Sequence, residues 1–222
     1  MKQSIPQSTL WIYLTVVLLP FNGGYINAAT LVSYLHNAVG YVTGNIAFAG
    51  AFFTIKEYHL FSTMVLLVFC FILGAFLTGL IIKSEYYRKD YRYGLTLIIQ
   101  TMLVCVAMFL MQNGYTYSEY FLATTMGLQN AMTTHYSSAL IRTTHMTGTA
   151  TDLGILIAHA VKGTILQPWL ILLYTMLIVA FFVGGIAGAY MFFNFKAYAL
   201  IIPVIIYFMM IVIHKIRNMT CL

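Results

Sequence analysis

Charge is what this sequence has least of. Of its 222 residues 7% are charged, and 5 acidic residues stand against 11 lysines and arginines. A soluble domain is about 25% charged. The deficit excludes a soluble enzyme, a nucleic-acid binder and a disordered chain, and the net charge of +6 is of the kind that basic cytoplasmic loops give a membrane protein. Cysteine is scarce too. Cys70, Cys105 and Cys221 make no disulfide framework and have no metal-ligand spacing. There is no serine nucleophile elbow, Walker motif, zinc-protease motif or carboxylate pair, so no enzyme activity, metal or cofactor is expected.

Apolar residues fill the space left: 61% of the chain, with a mean hydropathy of +0.88. Apolar segments run over about Thr9–Leu35, Val39–Ile55, Leu60–Ile82, Gly94–Met111, Tyr120–Ile141, Gly148–Val161, Trp169–Phe193 and Tyr198–His214. At about 20 residues per span, they predict an all-α integral membrane protein, one membrane domain over 1–222 with no separate soluble domain. Several segments are irregular. Thr9–Leu35 is interrupted by Pro20-Phe21-Asn22-Gly23-Gly24. Val39–Ile55 and Gly148–Val161 are short and carry Thr-Gly pairs, and Tyr120–Ile141 holds Gln129, Asn130 and His135. Lys2 before the apolar run Leu10–Leu19 looks like a secretory signal, but cleavage is not expected, because the segment that follows recurs later in the chain.

Gly24-Tyr25-Ile26-Asn27-Ala28 matches Gly127-Leu128-Gln129-Asn130-Ala131 at an offset of 103, and Thr43-Gly44-Asn45 matches Thr147-Gly148-Thr149 at 104. Two plain spans, Gly94–Met111 and Tyr198–His214, recur in the same order. An internal duplication is expected, repeat one over about 10–112 and repeat two over about 118–214. Topology follows from basic residues. With eight crossings and the N-terminus inside, five lysines and arginines fall inside and six outside, which is no bias. With Val39–Ile55 and Gly148–Val161 entering and returning on one face, nine fall inside and two, Lys56 and Lys196, outside. The positive-inside rule favours this model of about six crossings, with both termini cytoplasmic. Three crossings per repeat invert the second repeat relative to the first, as in many secondary transporters. Further half-helices in place of the re-entrant pieces have the same parity.

The order Gly24-x-x-Asn27-Ala28, Val42-Thr43-Gly44-Asn45, Gly127-x-Gln129-Asn130-Ala131, then Thr147-Gly148-Thr149 with Asp152-Leu153 resembles the YoaK-type family of bacterial inner-membrane proteins over about residues 10–214. The resemblance implies an integral inner-membrane protein with about six spans, and no particular activity. Asn27 stands where many members are expected to carry an acid, so a role that needs charge there is not carried over.

The candidate site residues are Asn27, Thr43, Asn45, Gln129, Asn130, Thr147, Thr149, Asp152 and Arg142. Amides and hydroxyls in lipid need partners. They serve either as interhelical hydrogen bonds or as a midplane site built from two symmetric polar clusters. Asp152 is the one acid inside an apolar segment, and it either caps a helix or serves a site. Arg142 has no counterpart in the first repeat. It is either an interfacial anchor or a partner for Asp152 or an anion. His135, His145 and His159 lack the i,i+4 spacing of a metal pair and suit protonatable gate or interface positions. The basic stretch Lys83, Arg88, Lys89, Arg92 suits contact with membrane lipid headgroups. The leading expectation is a transporter or channel for a small polar solute, with a homo-oligomer compatible and no nucleic acid partner. The rival is a structural or interaction membrane protein with no translocation path. A transporter should hold a cavity beside Asn45 and Thr149 that touches both Thr-Gly motifs, whereas a structural protein should bury those groups in mutual hydrogen bonds.

Overall fold

The computed structural model describes residues 9–82, 91–136, 143–164 and 167–219. The helices are α1 (Thr9–Leu31), α2 (Val42–Thr54), α3 (Tyr58–Ile81), α4 (Tyr91–Gln112), α5 (Ser118–Tyr136), α6 (Met146–Val161), α7 (Pro168–Phe195) and α8 (Ile201–Met219), with a 3-10 turn at Lys196–Leu200. No strand occurs among the described residues. By length and composition α3, α4 and the run Pro168–Ile216 are able to cross a membrane. Lys196 has a left-handed φ of 53°, unfavourable for a side-chain-bearing residue, and it divides that run into α7 and α8.

The outward faces agree with an apolar surrounding. Phe69, Ile72, Phe76 and Leu80 of α3 are exposed at helical spacings of three and four. Ile201, Ile205, Phe208 and Val212 form a like stripe on α8. Contiguous apolar surface on this scale is not left open to water.

The core lies around α1 and α5. Most residues of 15–30 and 118–133 are buried, although α5 is rich in threonine and amide. Its hydroxyls are satisfied locally: Thr124, Thr125, Thr133 and Thr134 each donate to the carbonyl four residues back, which lets a polar sequence pack without water. α1 lies along α7 and α5 along α3; α4 packs against α5 and α8, α2 against α3, and α6 against α7.

The expected interruption of the first segment does not occur. α1 runs continuously through Pro20, Gly23 and Gly24. Gly24 instead permits close approach, because a Cβ there would strike the Phe181 carbonyl of α7. Gly127 of α5 meets the Phe71 carbonyl of α3 in the same way, while Gly184 and Gly74 answer from the other helices against the carbonyls of Phe21 and Thr124. Small residues at such crossings bring two backbones together, a driving force that remains when lipid competes for apolar contacts.

Candidate functional site

The two Asn-Ala motifs do the same local work. The Asn27 amide donates to the Gly23 carbonyl at 2.8 Å and its Oδ1 accepts the Gly40 N–H at 2.7 Å. The Asn130 amide donates to the Met126 carbonyl at 2.9 Å and its Oδ1 accepts the Thr144 N–H at 3.1 Å. Each asparagine therefore pins the end of a connection back onto its own helix, just before the Thr-Gly helix begins. Asn130 also donates to the Thr144 hydroxyl at 2.7 Å.

The connections end in aromatic rings. Tyr41 precedes α2 and its ring lies over Gly44; His145 precedes α6 and its ring lies over Gly148, where any Cβ would collide with it. Neither ring caps its helix with a hydrogen bond. The glycines of the Thr-Gly pairs thus make room for rings and leave the helices intact. Both α2 and α6 present their positive, N-terminal ends at this place.

Between these two starts lies a cavity of about 990 Å³. Its polar rim includes Asn27, Tyr41, Thr43, Asn130, His145 and Thr147. Its apolar wall includes Phe71 of α3 and Ile178, Phe181 and Ile186 of α7. None of the described residues lining it is acidic. An apolar wall with a few convergent polar groups is the usual composition of a small-molecule site.

The sequence candidates divide. Asn27, Thr43, Asn130 and Thr147 line the cavity. Asn45 and Thr149 are buried outside the lining; the Asn45 amide reaches the Ala38 carbonyl at 3.5 Å and the Thr149 hydroxyl the His145 carbonyl at 3.0 Å. The cavity expected beside them touches the threonines two residues earlier instead. Asp152 is exposed on α6, away from the lining and within electrostatic reach of Tyr174 on α7. Arg142 lies outside the described residues. Of the clustered histidines, His145 alone lines the cavity.

Gln129 leaves the cavity altogether. It is fully buried and ties three parts of the chain together. Its Nε2 donates to the Leu19 carbonyl of α1 at 3.0 Å and to the Thr143 hydroxyl at 2.8 Å. Its Oε1 accepts the Tyr207 hydroxyl of α8 at 2.8 Å and the Asn22 amide of α1 at 3.4 Å. Tyr25 makes a second link of this kind, donating to the Ala199 carbonyl at 2.8 Å. Glu119 stands outside the apolar segments of the sequence, yet it is 3% exposed.

The family model described as "Protein of unknown function (DUF1275)" matches residues 15–213. The chain belongs to this family. No curated protein and no solved structure matches it. The DUF1275 match takes in both Asn-Ala motifs, both Thr-Gly motifs and every residue lining the cavity.

Proposed function

We propose that this DUF1275 protein is a transporter or channel that passes a small polar solute through a site at the interface of two inverted repeats. The observation that carries the reading is the cavity itself, which touches Thr43 and Thr147 together. A protein holding these motifs for packing alone would bury Asn45 and Thr149 in mutual hydrogen bonds. Both are buried, but each bonds a backbone carbonyl of its own segment rather than the other motif, while Thr43 and Thr147, two residues earlier, are exposed at the cavity.

Matched contacts support the duplication. Asn27 with Gly40 and Asn130 with Thr144 are equivalent hydrogen bonds. Gly24 against Phe181 and Gly127 against Phe71 are equivalent helix crossings. In this reading repeat one covers about 10–112 and repeat two about 118–214. Each has three crossings and one short helix, α2 or α6, and the termini lie on the cytoplasmic side of a bacterial inner membrane. The protein performs no chemistry on its solute, its lasting partner is membrane lipid, and a homo-oligomer is compatible with the exposed apolar faces. The YoaK-type motif order fits the same architecture. A solute with electronegative groups suits the rim, where hydroxyls, an imidazole and two helix N-termini converge.

The test needs no known solute. In a background with Cys70, Cys105 and Cys221 replaced by alanine, Thr43→Cys and Thr147→Cys are treated in intact cells with a small, membrane-impermeant thiosulfonate. Both cysteines are expected to react, because both face a water-filled cavity. If both stay inert in a folded protein, from either side of inverted and right-side-out vesicles, no aqueous path reaches the site and the structural rival stands.

A further inference from the structure

The first turn of α5 carries a buried carboxyl group that the solute site does not use. Glu119 precedes the apolar run of that helix, which starts at Tyr120. Its Oε2 accepts a 2.8 Å hydrogen bond from the Asn37 amide. Among the described residues no lysine or arginine is bonded to it. The titratable groups that interact with it electrostatically are Tyr34 on the connection between α1 and α2, Cys70 on α3 and Tyr120 on α5. None of these is a cation at neutral pH. A carboxylate taken out of water without a cation is costly, and it favours a bound proton.

Asn37 does not belong to the helices. It sits on the connection that follows α1, beside His36 with its left-handed φ of 53°. The next residue, Ala38, lines the cavity, and so do Gly40 and Tyr41. Gly40 is the residue clamped by Asn27. The connection is anchored at its other end by Tyr34, whose hydroxyl donates to the Tyr115 carbonyl at 3.1 Å. Glu119 thus holds the middle of a short segment whose far end forms the cavity rim.

We propose that Glu119 is a proton-binding site whose occupancy sets the position of the connection between α1 and α2, and through it the access to the cavity. The chemistry is direct. An ionised carboxylate is an acceptor and holds the Asn37 amide as donor. A protonated carboxyl also carries a donor hydrogen, which can turn the Asn37 amide around or release it. The position one repeat earlier is Val16, so the device occurs in one repeat and would act on one face. The consequence at the cavity rests on the solute-pathway reading; the proton site does not.

The experiment uses the full chain in lipid nanodiscs and two readouts. Infrared difference spectra are recorded across a pH titration for wild type and Glu119→Gln. The rate of thiosulfonate modification of Thr43→Cys is measured over the same range. A protonated-carboxyl band is expected that titrates in wild type and is missing in Glu119→Gln. Divided by the thiolate fraction of the cysteine, because the reagent attacks the thiolate, the Thr43→Cys rate should shift by about fivefold or more through the same pH interval, the low end of ordinary coupling between two sites, and the corrected rate should be flat in Glu119→Gln. Asn37→Ala keeps the acid and removes the link, so its band should titrate while its cysteine rate, divided by the thiolate fraction, stays flat. The other four side-chain carboxyl groups contribute bands to both proteins, so identical sets of titrating bands in wild type and Glu119→Gln overturn the proton site. A rate profile that is the same with and without Glu119 overturns the coupling. A Thr43→Cys protein inert at every pH sinks the solute pathway together with the coupling, and the carboxyl band alone then decides whether Glu119 binds a proton.

Discussion

Leucine at Gly24 or Gly127 is expected to stop the protein from reaching its native packing, and alanine at either to cost about 2–3 kcal/mol, the upper part of the range for overpacking. The obstacle is backbone on both sides. A Cβ at Gly24 meets the Phe181 carbonyl and the Gly185 nitrogen; one at Gly127 meets the Phe71 carbonyl and the Ala75 nitrogen. A flexible side chain could rotate aside, but a carbonyl inside a helix cannot move without moving the helix. Separating α1 from α7, or α5 from α3, would loosen the two most extensive helix pairs in the molecule. Gly50 and Gly79 are the controls, since a Cβ at either meets open space. Alanine there should leave stability unchanged or raise it by up to about 1 kcal/mol, through reduced backbone entropy. Thermal melting of the purified variants in one detergent separates the two classes. Gly24→Ala and Gly127→Ala proteins that melt with wild type would show that the close crossings are not tight.

Gln129→Leu is expected to cost about 3 kcal/mol. The leucine has nearly the same volume, so the loss is of hydrogen bonds rather than of packing. Tyr207 and Asn22 lose their acceptor, while the Leu19 carbonyl and Thr143 lose a donor. An interhelical bond in a membrane protein averages about 0.6 kcal/mol, because the freed groups find other partners. Here Tyr207 and Asn22 are fully buried and Asn22 Oδ1 already lacks a partner. The larger penalty of about 1–3 kcal/mol for a stranded buried group therefore governs. Tyr207→Phe alone should cost about 1 kcal/mol, since Gln129 Oε1 keeps only its 3.4 Å bond to Asn22. In the Gln129→Leu background the same change should be neutral or favourable, because it removes an orphaned hydroxyl. The double-mutant cycle checks this, and additive costs would mean that the two side chains are not coupled.

The sequence located the elements because hydropathy and the order of glycine, asparagine and threonine are local properties. Leu60–Ile82 became α3 (Tyr58–Ile81), Val39–Ile55 became α2 (Val42–Thr54) and Gly148–Val161 became α6 (Met146–Val161). The error at Thr9–Leu35 has a physical source. Proline and paired glycines weaken an isolated helix, but a glycine that admits a neighbouring backbone recovers the loss through packing, and that neighbour lies more than 150 residues away in the chain.

What the sequence by itself determined is the class: too little charge for a soluble fold, enough apolar length for several spans, and two motif sets in one order. What only the tertiary structure decided is the direction in which each motif residue faces. Gln129 and Asn130 are neighbours, yet one is sealed into a network with α1 and α8 and the other lines the cavity. Successive residues on a helix point about 100° apart, and hydropathy does not tell a protein neighbour from lipid, since both are apolar. The same holds for the acids. Asp152 drew attention because it interrupts an apolar run, and it lies exposed on α6. Glu119 stands outside the apolar segments, and it is buried where the connection after α1 supplies Asn37. Burial of a single carboxyl depends on what the rest of the chain places above it, and no local pattern carries that information.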